Sequence, residues 1–427
     1  MNKVKFTVLA IVAAFATTAA ASDIEFHGYT RVGIALNSEG GNGVCYRLGG
    51  ADADFRLGNE CDYVIEPNFE ITMAKLDDKS SWGFHFMPKV YKRWQPMGGR
   101  DLDTLAMWVG QVYFFGNNIP WLANGSLWAG RKYWDRLQLG INDQFVENED
   151  SESFGVENMD LGFAKLSFGV GLTGNQPGSN VGGQPPPNEG APDQADLGAR
   201  RFKIAARLTG IQTLNKDSSL QIWTALYGQS RDEDSGADEV DGGWRIGVYH
   251  NFGFGAGGNL FVGFKADKNT SFSGYDGAGD GRTAYRAFAQ YGVAVPAIRT
   301  SFDVLAEYRV AVPEADGADN AYWYSVGARG DAQLVGPLRF LLEAGMDQTW
   351  VGEDGDANWL LKVTPALAIS AGNDPWSRPT FRFYYTYAAW SDPGVLESGW
   401  HSQGTQEAFG ADAKSGSSFG VQAEGWW

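Results

Sequence analysis

Four aromatic residues stand beside charged groups at a spacing that suits recognition of a ring with an apolar face and a hydroxylated rim. Tyr29 lies two residues before Arg31, and Trp426 continues the series Gln422, Glu424. Phe261 shares its parity with Asn259, Lys265 and Asp267, and Trp376 shares its parity with Arg378, Arg382 and Tyr384. In an extended chain alternate residues point to one side, so each ring is on the same face as hydrogen-bonding groups. A large ring facing water is costly unless a loop covers it or a ligand stacks on it. For one ring alone either explanation serves. Four in the same setting favour a path on which sugar rings stack while charged neighbours exchange hydrogen bonds with their hydroxyls.

Other chemistries fit poorly. A hydrolase needs a nucleophile, a base and an acid in contact, and the four histidines, His27, His85, His250 and His401, lie in no nucleophile motif. Gly253–Gly258 matches a dinucleotide fingerprint in spelling, but the strand around Phe261 follows it where a helix is required, so a hairpin turn is expected. Cys45 and Cys61 are 16 positions apart in a Gly-rich stretch, a spacing suited to a disulfide-closed loop in an exported protein. No histidine or second cysteine pair stands near them for a metal, and no cofactor is implied.

The elements that must position these residues are strands. From Ile24 the even positions read Ile24, Phe26, Gly28, Thr30, Val32, Ile34, Leu36, against Glu25, His27, Tyr29, Arg31 and Gly33. The same alternation recurs at Phe202–Leu208, Phe302–Val310, Phe340–Met346 and Phe419–Glu424. These runs are about ten residues long, the length a tilted strand needs to cross hydrocarbon. Their polar faces carry Arg and Glu directly, as a water-filled lumen allows. The connections are unequal, some tight and some long, such as the Gly/Pro-rich Gly174–Gly198.

Composition agrees with that assignment. Aromatics make up 14% of the 427 residues, too many for a disordered acidic chain, and a net charge of -17 argues against a nucleic-acid partner. No internal stretch approaches about 18 apolar residues, which excludes a bundle of membrane-spanning helices. At the start, Lys3 and Lys5 precede an apolar core from Phe6 to Phe15, with Ala19 and Ala21 placed as a cleavage signal before Ser22. The expectation is a secretory signal at 1–21 and one all-β domain, a transmembrane antiparallel barrel, over 22–427.

Specific segments then resemble a known family. Phe26-His27-Gly28-Tyr29-x-Arg31, Phe55-Arg56-Leu57-Gly58-Asn59-Glu60-Cys61, Leu127-Trp128-Ala129-Gly130-Arg131, Glu157–Phe163, Trp376-Ser377-Arg378-Pro379 and Phe419-Gly420 to Trp427 together resemble maltoporin and the wider sugar-porin family of Gram-negative outer membranes. The resemblance runs along the whole mature chain in consistent order. It implies an 18-stranded barrel in outer-membrane lipid, a homotrimer, an inward-folded third loop at the constriction, and passive diffusion of maltose and maltodextrins.

Residue by residue, it implies an aromatic slide of Tyr29, Phe261, Trp376 and Trp426, with Trp94 reaching into a neighbouring subunit's pore. It implies an ionic track of Arg31, Arg56, Arg136 and Asp143. Departures from the family pattern fall at Val64, where a slide tyrosine is expected, at Gln138 in place of an acid, and at Phe145 in place of the constriction tyrosine. Trp108 aligns with a further track arginine. The competing expectation is a general diffusion porin, or a channel for another oligosaccharide such as sucrose.

Overall fold

The computed structural model describes residues 23–93, 106–134, 136–142, 144–147, 150–173, 199–231, 242–255, 258–269, 281–397 and 408–427. The expected signal at 1–21 and the segment 174–198 lie outside them. In chain order the strands are β1 (Asp23–Asn37), β2 (Asp62–Lys75), β3 (Ser81–Arg93), β4 (Ala106–Ile119), β5 (Gly125–Tyr133), β6 (Leu137–Leu139), β7 (Gln144–Glu147), β8 (Asp150–Asp160), β9 (Lys165–Thr173) and β10 (Ala199–Gln212). They continue as β11 (Ser219–Arg231), β12 (Gly243–Gly253), β13 (Gly258–Lys268), β14 (Arg282–Val295), β15 (Thr300–Pro313), β16 (Ala321–Val335), β17 (Leu338–Val351), β18 (Asn358–Ser370), β19 (Thr380–Trp390) and β20 (Ser415–Trp426). Eighteen of them form one antiparallel sheet in which each strand pairs with its neighbour in sequence, and β1 pairs with β20 to close it. The remaining two, β6 and β7, form a separate hairpin.

Closure follows from the solvent. A spanning strand must satisfy every backbone group within the protein, so an open edge is excluded and the first strand meets the last. The faces sort as the alternation requires. Ile34 is 61% exposed on the lipid side of β1, whereas Arg31 is 7% exposed on the inner side. The two rims differ in connection length. Residues 76–80, 120–124, 161–164, 213–218, 254–257, 296–299 and 336–337 join strands tightly on one rim, and 371–379 is the longest connection there. The opposite rim carries longer connections, including 38–61 and 391–414. Short turns mark the periplasmic rim of such barrels. The decoy at Gly253–Gly258 is the turn between β12 and β13, with Phe254 N–H donating to Gly258 O over 3.0 Å.

Two long connections turn inward and give the lumen a packed core. The first follows β1. Cys45 and Cys61 are joined by a disulfide, and between them Tyr46 and Leu48 pack against Trp323, Leu360 and Trp390 of the wall. Asp52 pairs with Arg286 and, at 2.6 Å, with Arg309. Lys362 Nζ donates to the Phe55 carbonyl and to that of Leu57 at 3.0 Å, while Leu57 N–H donates to Glu343 over 2.8 Å. Gly58 has φ +65, and a Cβ there would stand 2.4 Å from the Thr386 hydroxyl, so the sequence must have glycine where this segment touches β19.

The second inward segment follows β5 and contains β6 and β7. Leu139, Ile141 and Val146 pack with Phe55, Trp223, Tyr249, Phe288 and Leu305. Glu147, fully buried, takes a 2.9 Å contact from Arg245 and a hydrogen bond from Tyr249, and Lys265 Nζ donates to Val146 O over 2.9 Å. The two inward segments touch where Arg56 N–H donates to Ile141 O over 3.2 Å. Together they narrow the barrel, with Phe55 of the first packed in the same cluster as Leu139, Ile141 and Val146 of the second.

Candidate functional site

Beneath that contact a cavity of about 190 Å³ lies between the disulfide-closed segment and the last strands. Its lining includes Arg56, Glu60, Ile141, Arg329, Trp376, Arg378, Arg382, Glu424 and Trp426. β20 ends with Glu424 facing inward and Trp426 two residues further on the same face. In the β1–β20 register Glu424 is opposite Arg31 and Trp426 is opposite Tyr29, which places all four at one level of the barrel.

Charge organises the group. Arg56 donates to Glu424 over 2.8 Å, Arg382 over 2.6 Å, and Arg378 lies 3.1 Å from the same carboxylate. Arg56 also contacts Glu60, which accepts from Arg31 and, at 3.0 Å, from Gln422. Arg31 completes its fork on one Asp62 oxygen, at 2.9 and 2.6 Å. The Tyr29 hydroxyl donates to Glu424 over 3.0 Å and accepts from Arg56 at 3.1 Å and Arg31 at 3.3 Å. A phenol has one proton and two lone pairs, so this hydroxyl is saturated and only the ring remains for a ligand. Charge-assisted bonds of this kind hold the guanidiniums in fixed orientations.

The aromatic part stands against that node. Trp376 and Trp426 have ring centroids 6.4 Å apart at 44°, and the Arg378 guanidinium lies 3.8 Å above the Trp426 ring. Burial lowers the Arg378 pKa to about 10, with Glu424 opposing the shift, so the cation persists at neutral pH. One face of Trp426 is thereby occupied by a cation–π contact. Trp376 is 73% exposed.

Parity with Arg378, Arg382 and Tyr384 puts Trp376 on a strand, but the residue lies in the 371–379 connection. Its N–H donates to the Asp374 carboxylate over 2.8 Å, and Pro375 and Pro379 flank the turn. Proline removes a ladder donor, which is why no strand forms there. The ring reaches the lumen through the turn rather than through alternation.

The other expected residues are distributed as follows. Phe261 faces inward but away from this cavity, packing 5.3 Å from Phe288 and 6.3 Å from Tyr249 in the cluster that seats the second inward segment. Arg136 stacks over Tyr133 at 3.5 Å and lies 5.3 Å from the Phe145 ring. Gln138 is exposed and pairs with Phe145 in the β6–β7 hairpin. Val64 is buried on the inner face, opposite Arg31 in the register. Trp108 is near Tyr91, at 6.2 Å, with Lys89 Nζ 5.7 Å from its ring centre and 2.7 Å from Glu66. Trp94 and Asp143 lie outside the described residues.

Sequence reasoning missed two acids, Glu60 and Glu424, that collect the arginines. The signal for Glu424 was its parity with Trp426, and the signal for Glu60 was its place four residues after Arg56.

Comparison with known proteins agrees with this architecture. The family model described as LamB porin matches residues 24–427. Among solved structures, the outer membrane protein opdK of Pseudomonas aeruginosa aligns at a TM-score of 0.50 with 10% identity, covering 95% of this chain and 99% of that one. A structure of OpdK from the same organism with vanillate gives 0.51 and 12%, again covering 95% and 99%. At those identities the likeness shows the shared barrel alone. With a closed eighteen-stranded barrel and a family match over nearly its whole length, the chain belongs to the LamB porin family and is a multi-pass β-barrel channel of the outer membrane.

Proposed function

We propose that the channel carries maltose and maltodextrins by passive diffusion along an aromatic slide flanked by charged hydrogen-bonding residues. The slide comprises Tyr29, Trp94, Phe261, Trp376 and Trp426. The track comprises Arg31, Arg56, Arg136 and Asp143, with Phe145 narrowing the constriction. The observation that carries this reading is the Trp376–Trp426 pair set beside an arginine–carboxylate node in one cavity. The apolar face of a glucosyl ring stacks on indole, and its hydroxyls accept from guanidinium N–H groups. Each such hydrogen bond replaces one to water, so the net gain per step is small. A channel needs that balance, binding tightly enough to admit the solute and weakly enough to release it.

A second reading, a channel for sucrose or another oligosaccharide, is favoured by Val64, Gln138 and Phe145, which remove polar or aromatic groups that the maltodextrin pattern has. We further read the functional unit as a homotrimer; an intact-mass measurement in detergent that finds only monomer would overturn this. Single channels in planar bilayers, titrated with maltotriose and with sucrose, separate the two sugar readings. Block by maltotriose alone or preferentially supports the first, and preferential block by sucrose supports the second. Conductance untouched by any oligosaccharide would sink the slide itself.

A further inference from the structure

We infer that Glu424 is a positioning residue that couples the charged node to the Trp376–Trp426 pair and sets the channel's ion selectivity. Its carboxylate is the shared acceptor for Arg56, Arg378 and Arg382, which come from three separate parts of the chain: the disulfide-closed segment, the 371–379 turn and β19. It also accepts the Tyr29 hydroxyl from β1. Its side chain is 3% exposed. Arg31, Arg56, Arg378 and Arg382 stand against Glu60, Asp62 and Glu424, so the intact node carries one positive charge in excess. Of the three acids Glu424 is the one that meets three guanidiniums, and removing its charge raises anion attraction at this level of the pore.

Its second effect passes through Arg378. The guanidinium that contacts Glu424 is the one lying on Trp426, and Trp426 in turn faces Trp376. Holding Arg378 fixes which face of Trp426 is covered and which is open. A glutamine at 424 keeps the shape but presents one acceptor and an amide donor to three guanidiniums, so donor meets donor and the arrangement must open. Charge and stacking are thus linked through one side chain, and the sugar part of this inference rests on the slide reading proposed above.

The test uses the full-length protein in planar bilayers, with Glu424→Gln and Glu424→Asp. Glu424→Gln shifts the reversal potential in a KCl gradient toward anions and weakens maltotriose block roughly tenfold, the scale of one charge-assisted hydrogen bond. Glu424→Asp retains the wild-type reversal potential. An unchanged reversal potential in Glu424→Gln overturns the selectivity role, and unchanged block overturns the positioning role. Should Glu424→Gln fail to assemble, Arg378→Gln gives the opposite sign, a shift toward cations with weaker block, and absence of that shift overturns the inference. If the wild-type channel shows no block by maltotriose, the maltodextrin reading fails, while the reversal potentials still decide the charge role of Glu424.

Discussion

Trp376 and Trp426 differ in how they are held, and that difference separates their expected phenotypes. Trp376 is largely exposed, so Trp376→Ala removes a platform and leaves little cavity behind; sugar block should weaken while ion conductance stays near wild type. Trp426 also carries Arg378, so Trp426→Ala should weaken block and move ion selectivity as well. Phe261 behaves otherwise. Its ring packs on Phe288 and Tyr249, and Phe261→Ala should lower barrel stability by about 2 kcal/mol, the value of a largely buried phenyl group, with a smaller effect on sugar block. Thermal denaturation followed by circular dichroism, paired with bilayer titration, distinguishes the two classes. Block abolished by Phe261→Ala at unchanged stability would mean that this ring acts on the sugar and not on the barrel's packing. Parity identified the inward faces of Tyr29, Phe261 and Trp426 because strands impose it. It could not tell a ring awaiting a ligand from a ring under a loop, because that depends on residues more than a hundred positions away, such as Val146 for Phe261.

At the level of elements, the strands were legible in the sequence and the inward segments were not. A strand announces itself by alternation, since one face meets lipid and the other water. The segment between Cys45 and Cys61 has no such period; its place is fixed by Asp52 meeting Arg286 and Arg309, and by Lys362 reaching its carbonyls, all partners distant in sequence. Those contacts decide what the disulfide does. Closing a loop of this length contributes about 3 kcal/mol by restricting the unfolded chain. Position, however, is already set by the buried ion pairs. The Cys45→Ser, Cys61→Ser double variant should therefore denature at lower temperature yet keep the wild-type single-channel conductance, and a marked rise in conductance would show that the disulfide itself holds the segment in the pore. The second inward segment has no covalent tie and depends on Glu147. Glu147→Ala removes the carboxylate that Arg245 and Lys265 share, leaving Lys265 with Asp267 at 3.9 Å, a loss of about 3–5 kcal/mol. Larger and noisier single-channel currents are expected from that variant. Currents as quiet as wild type would mean that the apolar contacts of Leu139, Ile141 and Val146 suffice to hold the segment.

The molecule as a whole depends on one pairing that joins the two ends of the chain. Each other seam of the barrel joins strands adjacent in the sheet order along the chain, whereas β1 and β20 are separated by nearly its full length. Loop-closure entropy opposes such a contact most, so the seam needs specific packing to favour it. That packing is visible at Gly28. Its N–H donates to Trp427 O over 3.1 Å and its carbonyl accepts from Trp427 N–H at 3.2 Å, while the Trp427 indole lies across Gly28 and 5.5 Å from the Phe26 ring. A Cβ at Gly28 would stand 2.3 Å from that indole, forcing it off Phe26. Gly28→Val should then reduce the fraction of protein that migrates as a compact, heat-modifiable barrel on SDS gels without boiling. Gly330→Val is the matched control, at a glycine in β16 where an added Cβ meets its nearest neighbour, the Phe302 ring, at an ordinary 3.6 Å. Equal folded fractions for the two variants would mean that the backbone pairing of β1 with β20 closes the barrel without the indole. A deficit confined to Gly28→Val would place the closing interaction at the Gly28–Trp427 contact, on the outer face of the wall whose inner face carries the charged node.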